Sequence, residues 1–483
     1  MAKKIILVSF IGLLIFSVIY ALSGKKKYTT SSDQAYQAYL AGEELMQKLY
    51  YVDAIPEFEK AVRIDTNFAM AYIMLGELYN MHDNKDDAQK SVEKAVSLFP
   101  MITEKEQLII SVYQCGINED MESRRKNCDE LILKYPNSLE AHKYKATHFT
   151  EDRDFKNAII EFEQIIEDEP DYAPAYNMLG YLNYWNRDYN EALLYIKKYS
   201  IVAGKQANPH DSYGEILMNM GRYDEAIKEF ETANKIKSDL DFVLHHLGQV
   251  NREIGRYRDA IGYFERAKEF ARNEGYAARA EEQIAYSKYL HGEKEQALEL
   301  LDNIYKEHPE WFSVATYRGI VAAGLKKFDI ADTCIDDLNR MLEKADSSGA
   351  SQYYKNEIII HREALLGKIA LMKENYDEAI NVYNNIAELS NLPGLVMMKF
   401  LLGKSHLYAG KLDLAEEILL NNLNDNPNHP YTLFFLAKVY KEKDNPEKQK
   451  QMLLTYLSVM SGADEDIRDV IEARQQLDSL VEM

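Results

Sequence analysis

Alanines recur in this chain at a fixed interval of 34 residues. Ala158, Ala192, Ala226 and Ala260 form one series, and the pairs Ala54/Ala88 and Ala297/Ala331 repeat the interval. A period of that length exceeds any single helix turn or strand, so it marks a supersecondary unit copied along the chain. Such a unit hides its apolar flanks only by stacking on its neighbours, which commits the chain to a repeat array rather than one central core.

The residues around each alanine define the unit. Tyr72, Leu75, Gly76 and Tyr79 stand at i, i+3, i+4 and i+7, one apolar face of a helix. Gly76 and its equivalents Gly180, Gly214, Gly248, Gly367 and Gly403 let a neighbouring helix approach closely, which outweighs a helix cost of about 1 kcal/mol each. A polar turn follows, as in "GRYDEA". Asp86, Asn190, Asp224, Asp329, Asp377 and Asp413 share one position at the mouth of the second helix, where a side-chain oxygen is expected to cap it. Ala226, Phe230 and Ala233 give the apolar face of that second helix, and Pro100, Pro136, Pro170, Pro309 and Pro427 are expected to end it.

This frame resembles the tetratricopeptide repeat. Tyr72, Leu75, Gly76, Tyr79, Ala88, Ala95 and Pro100 match seven of its signature positions, with Val92 in place of the usual aromatic. About twelve units fit between residues 35 and 463. The match is strongest in units beginning near 35, 69, 173, 207, 241, 360 and 396, and weakest over 105–138, where Val112 and Arg124 displace the usual Gly and Ala. Extra residues fall near 275–277 and at 344–359, the latter stretch expected to hold an exposed loop. "ITEKEQLIISVYQ" and "NPHDSYGEIL" look similar to bacterial tetratricopeptide arrays attached to cyclase or kinase modules, which indicates a repeat subtype and no activity. The resemblance implies an all-α fold: an α-solenoid, a right-handed superhelix of about twelve hairpins with first helices on the concave wall. Residues 464–483 carry one stripe, Ile467, Val470, Ile471, Leu477, Leu480 and Val481, expected to cap the last hairpin.

Residues 5–23 form an apolar run without a charge, close to the ~20 residues that cross a bilayer. Lys25, Lys26 and Lys27 follow immediately, which favours a retained signal-anchor over cleavage after Ala21-Leu22-Ser23. The expected organisation is an anchor over 1–27, a polar spacer over 28–34, an array over 35–274, a more irregular array over 275–463 and the cap over 464–483. The short N-terminal tail places the array on the extracytoplasmic side; the alternative is a secreted or periplasmic form released by cleavage.

A net charge of −21 argues against nucleic acid, whose phosphates it would repel. Cys115, Cys128 and Cys334 make no disulfide framework and no metal-ligand spacing, and the first two fall at packing positions. His210-Asp211-Ser212 has the residue types of a serine hydrolase, but consecutive helical residues point about 100° apart and do not converge on one atom. "GIVAAGLKKF" (319–328) has phosphate-loop glycine spacing inside a repeat helix, with its lysine misplaced. His245-His246 lacks a ligand-type partner at i+4. No catalytic constellation, metal or cofactor is expected.

Function should therefore reside in the first helices. Frame positions 5, 9 and 12 share a face. They are Tyr39, Glu43 and Met46; Ile73, Glu77 and Asn80; Asn177, Tyr181 and Tyr184, with Trp185 beside them; Asp211, Glu215 and Met218; and His245, Gln249 and Arg252. This lining is aromatic and acidic. It lacks the cationic clamp with which some tetratricopeptide domains hold chaperone carboxylates, and it fits a protein or peptide with apolar anchors and basic residues. The competing reading packs Tyr181, Tyr184 and Trp185 against the next hairpin. Two functions follow: a membrane-tethered, non-catalytic scaffold that binds such a partner, or a sensor subunit whose array binds a small molecule or glycan and acts on a separate enzyme.

Overall fold

The structure is a computed structural model that describes residues 26–348, 350, 352–389 and 396–481. The described residues contain twenty-five α-helices and no strand. Contacts divide the chain between Asp152 and Arg153 into two compact units.

Unit 1 holds α1 (Asp33–Gln47), α2 (Tyr51–Ile64), α3 (Ala69–Met81), α4 (Lys85–Ser97), α5 (Glu104–Ile117), α6 (Met121–Lys134) and α7 (Leu139–Glu151). Its core is Tyr39, Phe58, Phe68, Met70, Ile73, Leu78 and Ile109, all nearly inaccessible to solvent.

Unit 2 begins with α8 (Phe155–Asp168), α9 (Ala173–Trp185), α10 (Tyr189–Ala203), α11 (Ala207–Asn219), α12 (Tyr223–Ile236), α13 (Asp241–Glu253) and α14 (Tyr257–Glu269). It continues through α15 (Glu274–His291), α16 (Lys294–Glu307), α17 (Phe312–Gly324), α18 (Phe328–Ser347), α19 (Gln352–Met372) and α20 (Tyr376–Leu389). It ends with α21 (Val396–Tyr408), α22 (Leu412–Asp425), α23 (Pro430–Glu442), α24 (Pro446–Val459) and α25 (Arg468–Val481). Within each unit, consecutive helices pack on one another, as an α-solenoid requires.

Each turn into a second helix places one residue in the left-handed region, from Leu49, Asp83 and Glu119 to Lys326, Glu374 and Asp444, always two residues before the helix starts. Frame-position glycines lie where the first helix crosses the second of its own hairpin. A Cβ on Gly248 would come within 2.5–2.7 Å of the Phe264 ring. The repeat's small-large pairing is therefore the hairpin's internal contact, sixteen residues apart in sequence.

Two expectations change. Asp86, Asp224, Asp329 and Asp413 are not caps; each is the second residue of its helix, where its charge favours the positive end of the helix dipole. In α4 the cap is Asn84, whose side chain accepts from the Asp87 N–H. The extra residues at 344–359 are mainly helix, because α18 and α19 lengthen to twenty and twenty-one residues and leave a short connection between them. Four of the prolines sit two residues beyond the last helical residue, and Pro100 lies in a short 3-10 turn, Phe99–Met101. Pro136, Pro170, Pro309 and Pro427 each follow the first residue of a closed turn, as in Ser138 N–H to Tyr135 O at 3.0 Å, a position that suits a fixed φ.

Unit 2 closes on itself. Asn426 donates to the Tyr223 hydroxyl at 3.0 Å and Asn428 to the Gly221 carbonyl at 2.9 Å. The Asp464 N–H donates to the Gly255 carbonyl at 3.0 Å, and Arg258 holds Asp466 at 2.7 Å. Gly221 (φ +73°) and Gly255 (φ +75°) both need glycine here, because an added Cβ would strike Asn426 or Met460. In α25, Val470 and Ala473 are buried, while Ile471 and Val481 stay exposed, so only part of the terminal stripe is covered. The apolar run 5–23 lies outside the described residues; among the described residues, no helix is long and apolar enough to cross a membrane.

Candidate functional site

In unit 1 the chain's own N-terminal segment meets Tyr39, one of the residues expected to line a groove. Residues 26–31 cross the starts of three first helices. The Thr29 N–H and hydroxyl donate to Glu106 of α5 at 2.6 and 2.7 Å. Thr30 and Ser31 donate to Asp65, just before α3, at 2.6 and 2.8 Å. Lys27 pairs with Glu140 of α7 at 3.1 Å. Tyr28 is buried edge-on against Tyr39 at 5.5 Å. Burial opposes ionisation of Glu140, yet Lys27 and Lys105 prevail and hold its pKa at about 2. Tyr39 is itself core, ringed by Phe58 and Phe68, with its hydroxyl on Glu43 at 2.9 Å. Glu77 and Asn80 are half-buried, and burial raises the Glu77 pKa. Residues 28–31, part of the 28–34 expected as a spacer, thus lie on the array.

In unit 2 the aromatic group is mostly internal. Trp185 lies 5.9 Å from both Phe155 and Tyr181, and the Tyr181 hydroxyl donates to Glu215 at 2.6 Å. Asn177 carries a buried oxygen that makes no hydrogen bond. His210, Asp211 and Ser212 go to different partners, as helical geometry requires. His210 meets Glu229 at 2.7 Å, Asp211 meets His246 at 2.8 Å, and Ser212 is buried. Burial disfavours the His246 charge, but Asp211 overrides it and raises the pKa to about 9; burial and nearby Arg279 push His245 down to about 2. Tyr184, Glu215, Met218 and Gln249 come together with Arg252 and His429 around a cavity of about 300 Å³.

A larger cavity of about 730 Å³ lies inside unit 2. Seven first helices contribute to its wall: α13, α15, α17, α19, α21, α23 and α25. The wall is aromatic, with Tyr286, Tyr289, Tyr317, Phe400, Tyr431 and Phe435, and it carries five basic side chains (Arg252, Lys368, Lys404, Lys438, Arg468) against three acidic ones (Glu253, Asp469, Glu472). Lys438 is paired with Glu472 at 3.1 Å. Lys368 and Lys404 rest on rings instead, 5.7 Å from the centre of Tyr289 and 4.7 Å from that of Phe435. Burial lowers both ammonium pKa values to about 8, with Lys294 adding to the effect at Lys368 and Lys368 adding to it at Lys404. Tyr383, fully buried in the same wall, has a hydroxyl without a hydrogen-bond partner among the described residues.

The three lysines were missed because the groove was followed only through the first seven units. Their signal is in the repeat frame. The residue after the frame glycine is Glu77, Glu215 and Gln249 early in the chain, but Lys368 and Lys404 later, and one period beyond Lys404 come Lys438 and then Glu472. The groove position changes sign along the array.

Stacked two-helix units with glycine-centred crossings define a helical-hairpin repeat protein. Residues 206–273 match the tetratricopeptide repeat family. The human mitochondrial import receptor subunit TOM70 is 25% identical over 207 residues, covering 41% of this chain and 34% of that protein, and the mouse protein is 24% identical over the same span. The match therefore spans about a third of the length of these curated relatives. The crystal structure of yeast Tom70 aligns over 91% of this chain and 99% of its own at 15% identity and a TM-score of 0.40. A tetratricopeptide repeat protein from Parabacteroides merdae aligns over 58% of this chain and 100% of its own at 14% identity and a TM-score of 0.35.

Proposed function

We propose that this chain is a membrane-tethered, non-catalytic scaffold that holds a protein or peptide on the inner faces of its first helices. The observation that carries the reading is the segment 26–31, seated on Asp65, Glu106 and Glu140. A surface that orders one basic, aromatic and hydroxyl-bearing stretch has the donors, acceptors and apolar contact that peptide recognition uses. The acidic first-helix residues fit a partner with apolar anchors and basic side chains. The relatives named as import receptor subunits support binding of polypeptide rather than chemistry. The tether rests on the apolar run 5–23, which would concentrate the array at a bilayer.

The test is a photo-cross-linking amino acid at Glu77, and separately at Gln249, in cells expressing the full chain. One discrete polypeptide adduct, recovered with membranes and released by deleting residues 5–23, is the expected result. Absence of any adduct, or a chain that leaves the membrane fraction with the run intact, would overturn the scaffold or its tether respectively.

A further inference from the structure

The large cavity of unit 2 has an unmet chemical demand. It is ringed by first helices because the loop before α25 is tied back to Gly255 and Arg258. Its volume of about 730 Å³ falls in the range of small-ligand sites, roughly 300–1,000 Å³, rather than of a channel for a long chain. Among the described residues, neither Lys368 nor Lys404 has a carboxylate within ion-pair distance, and their ring contacts offset only part of the cost of burying an ammonium. The Tyr383 hydroxyl is a third donor left unused in the same wall. With Lys438 already held by Glu472, the wall keeps Arg252, Lys368, Lys404 and Arg468 against Glu253 and Asp469, a net excess of two positive charges that one carboxylate shared by Lys368 and Lys404 partly offsets. A polyanion would meet Asp469 and Glu253 as well.

We propose that unit 2 binds a compact organic monoanion, a carboxylate on an aromatic or apolar body, with its carboxylate at Lys368 and Lys404, within reach of Tyr383, and its body against Tyr289, Phe400 and Phe435. This site lies on first helices later in the chain than Glu77 and gives the array a small-molecule input.

The test uses the full chain in lipid nanodiscs and three probes sharing one body: 3-phenylpropionate, 3-phenylpropan-1-ol and 3-phenylpropylamine. Calorimetry should show saturable one-to-one binding of the acid, about tenfold or more weaker binding of the alcohol, and none of the amine, since a charge-assisted contact is worth about a factor of ten or more. The double variant Lys368→Gln/Lys404→Gln should abolish acid binding, while Lys235→Gln, an exposed charge change of the same kind, should not. Tyr383→Phe, which keeps the ring, should weaken the acid about three- to tenfold and leave the alcohol unchanged; it decides the matter if the double variant fails to fold. Equal binding of acid and alcohol, acid binding indifferent to these variants, or no binding at millimolar acid would overturn the proposal. Adduct formation at Glu77 is unaffected by any of these outcomes, so the scaffold reading stands or falls separately.

Discussion

The backbone N–H of Asp464 donates to the carbonyl oxygen of Gly255 at 3.0 Å, joining the turn between α13 and α14 to the loop that leads into α25. Most left-handed turn residues between α7 and α24 are not glycine, whereas this turn places Gly255 at φ +75° with Met460, Ile467 and Ala463 packed over it. Gly255→Ala adds both left-handed strain and overlap, and should cost about 2–4 kcal/mol. Gly410 has nearly the same φ but nothing within 4 Å, so Gly410→Ala should cost only the strain, about 1–2 kcal/mol. Urea denaturation compares the two. Hydrogen exchange should show α25 losing protection in the first variant alone.

The Tyr181 and Trp185 rings belong to packing more than to a free groove. Tyr181→Phe leaves the ring in place but strips Glu215 of its 2.6 Å donor, and should cost about 1–2 kcal/mol. Trp185→Ala removes contact with Phe155 and Tyr181 and should lower the melting temperature clearly. An unchanged melting curve for both would return these rings to the groove.

The N-terminal strap can be released without harming the helix it sits on. Glu106 serves two tasks: it completes the capping box with Thr103 and it receives Thr29. Thr29→Val removes only the strap's hydroxyl bond, and should speed protease cutting near residues 26–31 while thermal stability falls by less than about 1 kcal/mol. Glu106→Ala should do both, losing about 1–2 kcal/mol more through the cap. Equal cutting of wild type and Thr29→Val would contradict the strap.

The fold was legible because the repeat writes the same contact many times. Gly248 and Phe264 are one copy of a pairing that also joins Gly214 to Phe230 and Gly367 to Tyr383, so the hairpin follows from the 34-residue frame. What the frame does not encode is which distant repeats meet. Asn426 on Tyr223, or Asp464 on Gly255, depends on small rotations accumulated over many hairpins, and no local pattern carries them. The cavity follows from that closure. Its lysines were visible as a change of sign at one frame position, but nothing in the sequence said they would face one another's surroundings rather than open solvent.

Two histidines should make stability fall on both sides of neutrality, with opposite signs. His429 is 3% exposed, and burial holds its pKa at about 3, so the folded state keeps it neutral. An unfolded histidine takes a proton near pH 6.5, so below that pH the unfolded state gains relative to the folded one by about 1.4 kcal/mol per pH unit, down to the folded value. His246 is the reverse case. Asp211 raises its folded pKa above the unfolded one, so its contribution is complete below about pH 6.5 and disappears as pH rises through about 9. Urea midpoints between pH 4 and 8 should therefore decline on both sides of about pH 6.5; above pH 8 the depressed Lys368 and Lys404 pKa values act against the His246 loss. His429→Gln should make the acid limb shallower by about 1.4 kcal/mol per pH unit, His245 still contributing there, at the cost of some packing against Phe400, and leave the alkaline one. Asp211→Asn should flatten the alkaline limb, because the neutral amide no longer holds the His246 proton. If Asp211→Asn leaves the slope between pH 7 and 8 as steep as in the wild type, the ion pair is not what the alkaline limb reports.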